Sequence, residues 1–104
     1  MARIAAIAPD LFFASKIDAT LKGAGHEVLL VGEGEVAEDA EVVIVDLDHV
    51  APESAPPGVP RLGFYSHVDV DKRRLAQEAG FDLVVPRSRM AREMSELVAS
   101  LLGQ

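Results

Sequence analysis

The 104-residue chain predicts an α/β fold built on a parallel sheet. Three observations carry that expectation. Strand-like and helix-like segments alternate along the whole length, the order expected when helices pack on a sheet. The strand-like segments are short apolar runs with little polar alternation, such as Val42-Val43-Ile44-Val45, as in strands covered on both faces. Three of them end on polar residues, Asp46, Ser66-His67 and Arg87-Ser88. In such folds the carboxyl ends of the strands form the ligand crevice.

Ile4–Ala8 reads as the first strand. Asp10 then stands at an N-cap position, with Phe13, Ile17, Leu21 and Ala24 at helical spacing and Gly23 and Gly25 to end the helix. Phe12 lies about 100° around the helix from the buried Phe13. It is expected to pack beneath the first loop, with an exposed aromatic contact as the alternative. Val28–Val31 is the second strand. The acidic, glycine-rich stretch from Gly32 to Glu41 has room for a turn or two of helix, and Val42–Val45 is the third strand.

The stretch from His49 to Pro60 holds four prolines and one glycine, which argues for a loop with at most one helical turn. Leu62–Tyr65 is the fourth strand. Asp69 or Asp71 caps a helix that buries Leu75 and Ala79 and stops at Gly80. Leu83–Val85 is the fifth strand. Ser88 caps a last helix whose buried face holds Met90, Met94, Leu97, Val98 and Leu101. One domain spanning 1–104 is expected. Right-handed crossovers make a five-stranded parallel sheet of flavodoxin-like order 2-1-3-4-5 its natural topology, with helices on both faces.

Composition narrows the function. The chain has no cysteine, which excludes disulfides, thiolate metal sites and thiol catalysis. Its net charge of −7 argues against nucleic acid as a partner. Residues 1–51 carry 3 basic and 10 acidic side chains and residues 52–104 carry 7 of each, so all the excess lies in the first half. No apolar run approaches the ~20 residues needed to span a bilayer, so no membrane role and a cytoplasmic location are expected. Ser66 and His67 are adjacent and leave a strand on opposite faces, and no Gly-x-Ser-x-Gly sequence occurs, so a hydrolase is not indicated. No Gly-x-Gly-x-x-Gly or Walker sequence occurs either.

Over nearly its full length the chain resembles the receiver domains of two-component response regulators. Asp46, at the end of the third strand, matches the phosphoacceptor, and Ser66 matches the hydroxyl residue that ends strand 4. The run Glu78-Ala79-Gly80-Phe81-Asp82 is similar to the Glu-Ala-Gly-Ala-Asp usual before strand 5. The resemblance also marks departures. The acids expected after strand 1 fall on Ala8 and Pro9, leaving Asp10 nearby, and the usual lysine and proline are replaced by Arg87 and Ser88. The second and third helices of the family plan are shortened or lost. Together these features resemble a degenerate receiver, or pseudo-receiver, and Asp10-Leu11-Phe12-Phe13, with Ser66-His67-Val68 and Pro86-Arg87-Ser88-Arg89, resembles the signature of a small receiver-like bacterial group.

The candidate site is therefore Asp46, Ser66, Arg87 and Asp10. Aspartyl phosphorylation needs a divalent cation held by carboxylates and waters. With Asp46 and Asp10 alone, Mg²⁺ binding is expected to be weak, and no cofactor is expected. The expected role is non-enzymatic: regulation through a protein partner, with a homodimer through the last helix, strand 5 and the preceding helix. Alternatives are a stand-alone response regulator phosphorylated on Asp46, and a small-anion or metal-binding module in the same crevice. Asp46, Asp48, His49 and His67 are the residues for a metal, though their spacing favours solvated side chains. Arg87, Arg89 and Arg92 are the residues for an anion, with a solvated face as the plainer reading.

Overall fold

The computed structural model describes residues 2–32, 39–56, 58–66 and 70–103. Five parallel strands form one sheet: β1 (Arg3–Ile7), β2 (Glu27–Leu30), β3 (Val42–Asp46), β4 (Arg61–Tyr65) and β5 (Leu83–Pro86). Their order is β2-β1-β3-β4-β5, as expected. Helix α1 (Leu11–Gly23) follows β1, α2 (Val70–Glu78) follows β4 and α3 (Arg87–Leu101) follows β5. The connection from β3 to β4 carries a single 3-10 turn at Pro52–Ser54. The expected loop with at most one helical turn is thus observed, as the prolines require. Most of the stretch proposed to replace the second helix lies outside the described residues.

The sheet separates two apolar layers, because alternate residues of a strand face opposite sides. Ile4, Ala6, Val42, Ile44, Leu62 and Phe64 cluster with Phe13, Ile17 and Leu21 of α1 and with Met90, Met94, Leu97 and Val98 of α3. Ala5, Ile7, Val43, Val45 and Tyr65 form the other layer with Leu47, Val50, Phe81 and Ala76 of α2. Every residue of β3 and β4 is buried.

Several local expectations change. Helix α1 ends at Gly23, so Ala24 falls at the C-cap and is exposed rather than buried. Phe12 is 90% exposed instead of packed; with Asp10 setting the helix start, Phe13 takes the inward direction. Helix α2 begins at Val70, which places Asp71 inside its first turn rather than at the cap, and Asp69 lies outside the described residues. That phase buries Ala76 completely and leaves Leu75 54% exposed, with Ala79 half-buried. Ser88 is likewise inside α3, whose N-cap is Pro86 and makes no side-chain cap bond. Met90, Met94, Leu97 and Val98 are buried in the chain's own core, and Leu101 packs half-buried against it. They are therefore spent on folding, and the exposed large apolar side chains near the proposed dimer face are Val70 and Leu75 of α2.

Two glycines carry packing at the α2 layer. A Cβ on Gly63 would lie 2.6 Å from Leu47 Cδ1 and 3.1 Å from Phe81 Cδ2, so this position of β4 admits no side chain without displacing both. Gly80 has φ +90°, which terminates α2 in a conformation other residues adopt poorly. Beside it the buried Arg61 donates to Ala79 O at 2.5 Å and lies 4.9 Å over the Phe81 ring, placing a cation at the negative end of α2. Gly63→Ala is expected to lower stability by about 1–2 kcal/mol through overpacking, read as a lower denaturant midpoint with an unchanged slope.

Candidate functional site

The four candidate residues sit at the carboxyl end of the sheet, but they form separate pairs rather than one open constellation. Asp46 is the last residue of β3, in register with Phe64 of β4. It is fully buried. A buried carboxylate must find hydrogen-bond donors within the protein, and the turn that follows supplies them. Oδ1 accepts from the Asp48 backbone N–H at 3.0 Å, and Oδ2 lies 2.8 Å from His49 Nδ1. The Asp46 carbonyl accepts from the Val50 N–H at 2.9 Å. Main chain and side chain of one residue thus hold the whole 46–50 turn, the local bonding that favours Asp in turns.

Ser66 follows β4 and is exposed. Its backbone N–H donates to the Asp48 carboxylate, at 2.9 Å to Oδ2 and 3.1 Å to Oδ1. Asp48 therefore ties the end of β4 to the turn after β3. The link holds Ser66 through its main chain, a use its hydroxyl did not suggest.

Asp10 and Arg87 form the other pair. Asp10 Oδ1 caps α1 by accepting from Phe12 N at 3.0 Å and Phe13 N at 3.4 Å, while Oδ2 accepts from Arg87 Nη2 at 2.6 Å. The guanidinium also lies 4.4 Å over the Phe13 ring, a cation–π contact. The hydrogen bond from Arg87, then that from the Phe13 N–H, hold the Asp10 carboxyl below its ordinary value near 3.8 against a smaller opposing effect of burial. Asp10 and Arg87 thus join the N-termini of α1 and α3.

The remaining arginines of the proposed anion site are also paired: Arg89 Nε lies 3.4 Å and Arg92 Nη2 3.3 Å from Glu93 Oε2. Among the described residues no three side chains of metal-ligating type converge. His67, part of the metal set, lies outside them. His49 as the partner of Asp46, and Asp48 as that of Ser66, are the contacts the site residues alone did not indicate. The Asp-x-Asp-His spacing after an apolar strand is the signal that carries both, because it places an Asx-type turn at the strand end.

No family model matches the chain, and no curated protein is similar to it in sequence. The solved structures are informative about shape. A putative response regulator from Chloroflexus aurantiacus superposes with a TM-score of 0.83 at 19% identity, over 99% of this chain and 98% of that one. The non-phosphorylated HemR receiver domain from Leptospira biflexa gives 0.82 at 14% identity, over 100% and 96%. The chemotaxis response regulator CheY4 of Vibrio cholerae gives 0.81 at 16%, over 97% and 98%. The fold is that of a receiver domain. No helix among the described residues is long and apolar enough to cross a membrane.

The Asp10–Arg87 pair has a definite pH signature. A carboxyl whose folded pKa is depressed stabilises the native state above its unfolded value, about 3.9, and loses that contribution as pH falls through the folded value. Denaturant midpoints measured from pH 5 downwards are expected to fall less steeply for Asp10→Asn than for the parent below about pH 4. In Arg87→Gln the Asp10 carboxyl, followed by NMR, is expected to titrate closer to its ordinary value.

Proposed function

We propose that this chain is a response-regulator-like regulatory domain that acts by binding protein and is not switched by phosphorylation of Asp46. The observation that carries this reading is the state of the Asp46 carboxylate: fully buried, with one oxygen on the Asp48 N–H and the other on His49. A phosphoacceptor must offer an oxygen to an incoming phosphoryl group in line with its leaving group. Here both oxygens are engaged by the residue's own turn.

The surroundings support the same reading. Mg²⁺ keeps near-ideal octahedral geometry and draws on carboxylate oxygens and waters. Asp10 is occupied by the α1 cap and by Arg87, and Ala8 and Pro9 bring no oxygen side chains. The residues present do not fit a Mg²⁺ centre. Arg87, which stands in the position of the phosphoryl-contacting lysine, is directed to Asp10. The domain thus works without a cofactor and without catalysis. Self-association through the α2–β5–α3 side belongs to this reading, with its large exposed apolar contribution reduced to Val70 and Leu75.

Titration with a fluoroberyllate phosphoryl analogue and Mg²⁺ is expected to leave the amide resonances of Val45 to Val50 and Ser66 unchanged. A saturable shift that disappears in Asp46→Asn would establish a working phosphoacceptor instead. Sedimentation velocity over a concentration series tests self-association separately, and a concentration-independent monomer removes that part of the reading.

A further inference from the structure

We propose that His49 Nε2 is an acceptor site for a small uncharged acyl group, and that the turn after β3 responds to its modification. This goes beyond protein binding and gives the domain an input other than phosphorylation of Asp46. Asp46 is fully buried, and its Oδ2 lies 2.8 Å from Nδ1 of His49, whose side chain is 52% exposed. A carboxylate offers only acceptors, so Nδ1 carries the hydrogen of this bond. The other ring nitrogen, Nε2, then holds a lone pair in the neutral imidazole. Nδ1 faces the buried carboxylate, so the exposed part of the ring is the part that carries Nε2. Among the described residues nothing bonds it.

The other described histidine is held the opposite way. His26 Nδ1 accepts from the Ala2 N–H at 3.1 Å, so its hydrogen is on Nε2 and neither nitrogen keeps a free lone pair. Among the described residues, only His49 has a buried anion behind its ring. A carboxylate in that place fixes the tautomer and the orientation of the imidazole. An oriented ring with its lone pair outward is equipped to act as a nucleophile.

Charge narrows the donor. Residues 1–51, which include this turn, carry 3 basic and 10 acidic side chains, so an anionic phosphoryl donor would meet like charge. An uncharged acyl donor meets no such barrier. His49 also lines a hollow of about 340 Å³, walled in part by Leu47 and Val50, which leaves room for a small acyl group. In the step, the Nε2 lone pair forms a bond to the carbonyl carbon while the bond to the leaving group breaks. The leaving group departs with that electron pair and takes up, through solvent, the proton that Nδ1 gives up. Nδ1 of the neutral acylated ring then turns a lone pair toward the Asp46 carboxylate, and their hydrogen bond is lost. A buried acceptor without its donor is costly, so the 46–50 turn rearranges.

The test uses the full chain, labelled with ¹⁵N, and diethyl pyrocarbonate as the uncharged acyl donor, with phosphoramidate as the anionic comparison. Long-range ¹H–¹⁵N spectra of the unmodified chain are expected to show His49 as the Nδ1–H tautomer and His26 as Nε2–H. Peptide mass mapping is expected to find His49 acylated faster than His26. With each rate taken relative to free imidazole, His49 is expected to favour diethyl pyrocarbonate over phosphoramidate. Acylation is expected to shift the amides of Asp46 to Val50, and the same treatment of His49→Gln to leave them in place. Asp46→Asn is expected to slow acylation of His49 about tenfold and leave that of His26 unchanged, with folding checked by circular dichroism. An Nε2–H tautomer at His49, His26 reacting as fast, or unmoved 46–50 amides in the acylated chain would each overturn the proposal. So would a higher relative rate with phosphoramidate, or an unchanged His49 rate in folded Asp46→Asn. The tautomer is read in the parent chain and decides the matter even where Asp46→Asn does not fold. The fluoroberyllate titration reports on phosphoryl acceptance by Asp46, so the two readings fail separately.

Discussion

The central strands of this protein have no face turned to water. Every residue of β3 and β4 is buried, so a polar group at their ends must be satisfied by neighbours or lose several kcal/mol of hydration, about 1–3 in typical protein contexts. Asp46 meets that requirement by bending the chain after it into a turn that offers an N–H and an imidazole. The position of the following loop, and hence of the wall formed by Leu47 and Val50, depends on that turn. Asp48 extends the same device sideways by accepting the Ser66 N–H, and the ends of two adjacent strands become one hydrogen-bonded unit.

A second polar unit joins the helices on the other side of the crevice, where Asp10 serves at once as helix cap and as counter-ion to Arg87. The two units consume the hydrogen-bonding capacity that a reactive site would reserve for substrate and metal. Fold and activity are specified by different residues, so the proposed regulatory role rests on these two units rather than on the fold. The regulatory reading draws on this difference, as the fold is shared with receivers at below 20% identity.

Much of the architecture was legible in the residues. The uninterrupted apolar run before Asp46 announced a strand covered on both faces, the four prolines between His49 and Pro60 excluded a full helix, and Asp10 announced the start of α1. The phase of α2 was not legible, because Val70, Leu75, Ala76 and Ala79 permit two inward directions and the starting residue decides between them. Ser88 failed as a cap for a related reason: α3 starts directly after Pro86, one residue ahead of it. At the site, strand-end placement could be read for Asp46, Ser66 and Arg87, but not which partner each would take. Those pairings depend on side-chain reach between segments far apart in sequence, as with Asp10 and Arg87, 77 residues apart.

The arrangement of α3 also bears on how the chain is made. Its residues Met90, Met94, Leu97 and Val98 belong to the same apolar cluster as Ile4, Ile44 and Leu62, so the first strand waits for the last helix. During synthesis, only α1 can cover that side of the sheet until α3 has emerged, and closing so long a loop carries an entropic cost. A nascent chain stalled before Met90 would leave open the part of that apolar layer which α3 covers, and exposed apolar surface is prone to aggregate. The burial that leaves β3 and β4 without a wet face thus makes the chain's birth the vulnerable moment.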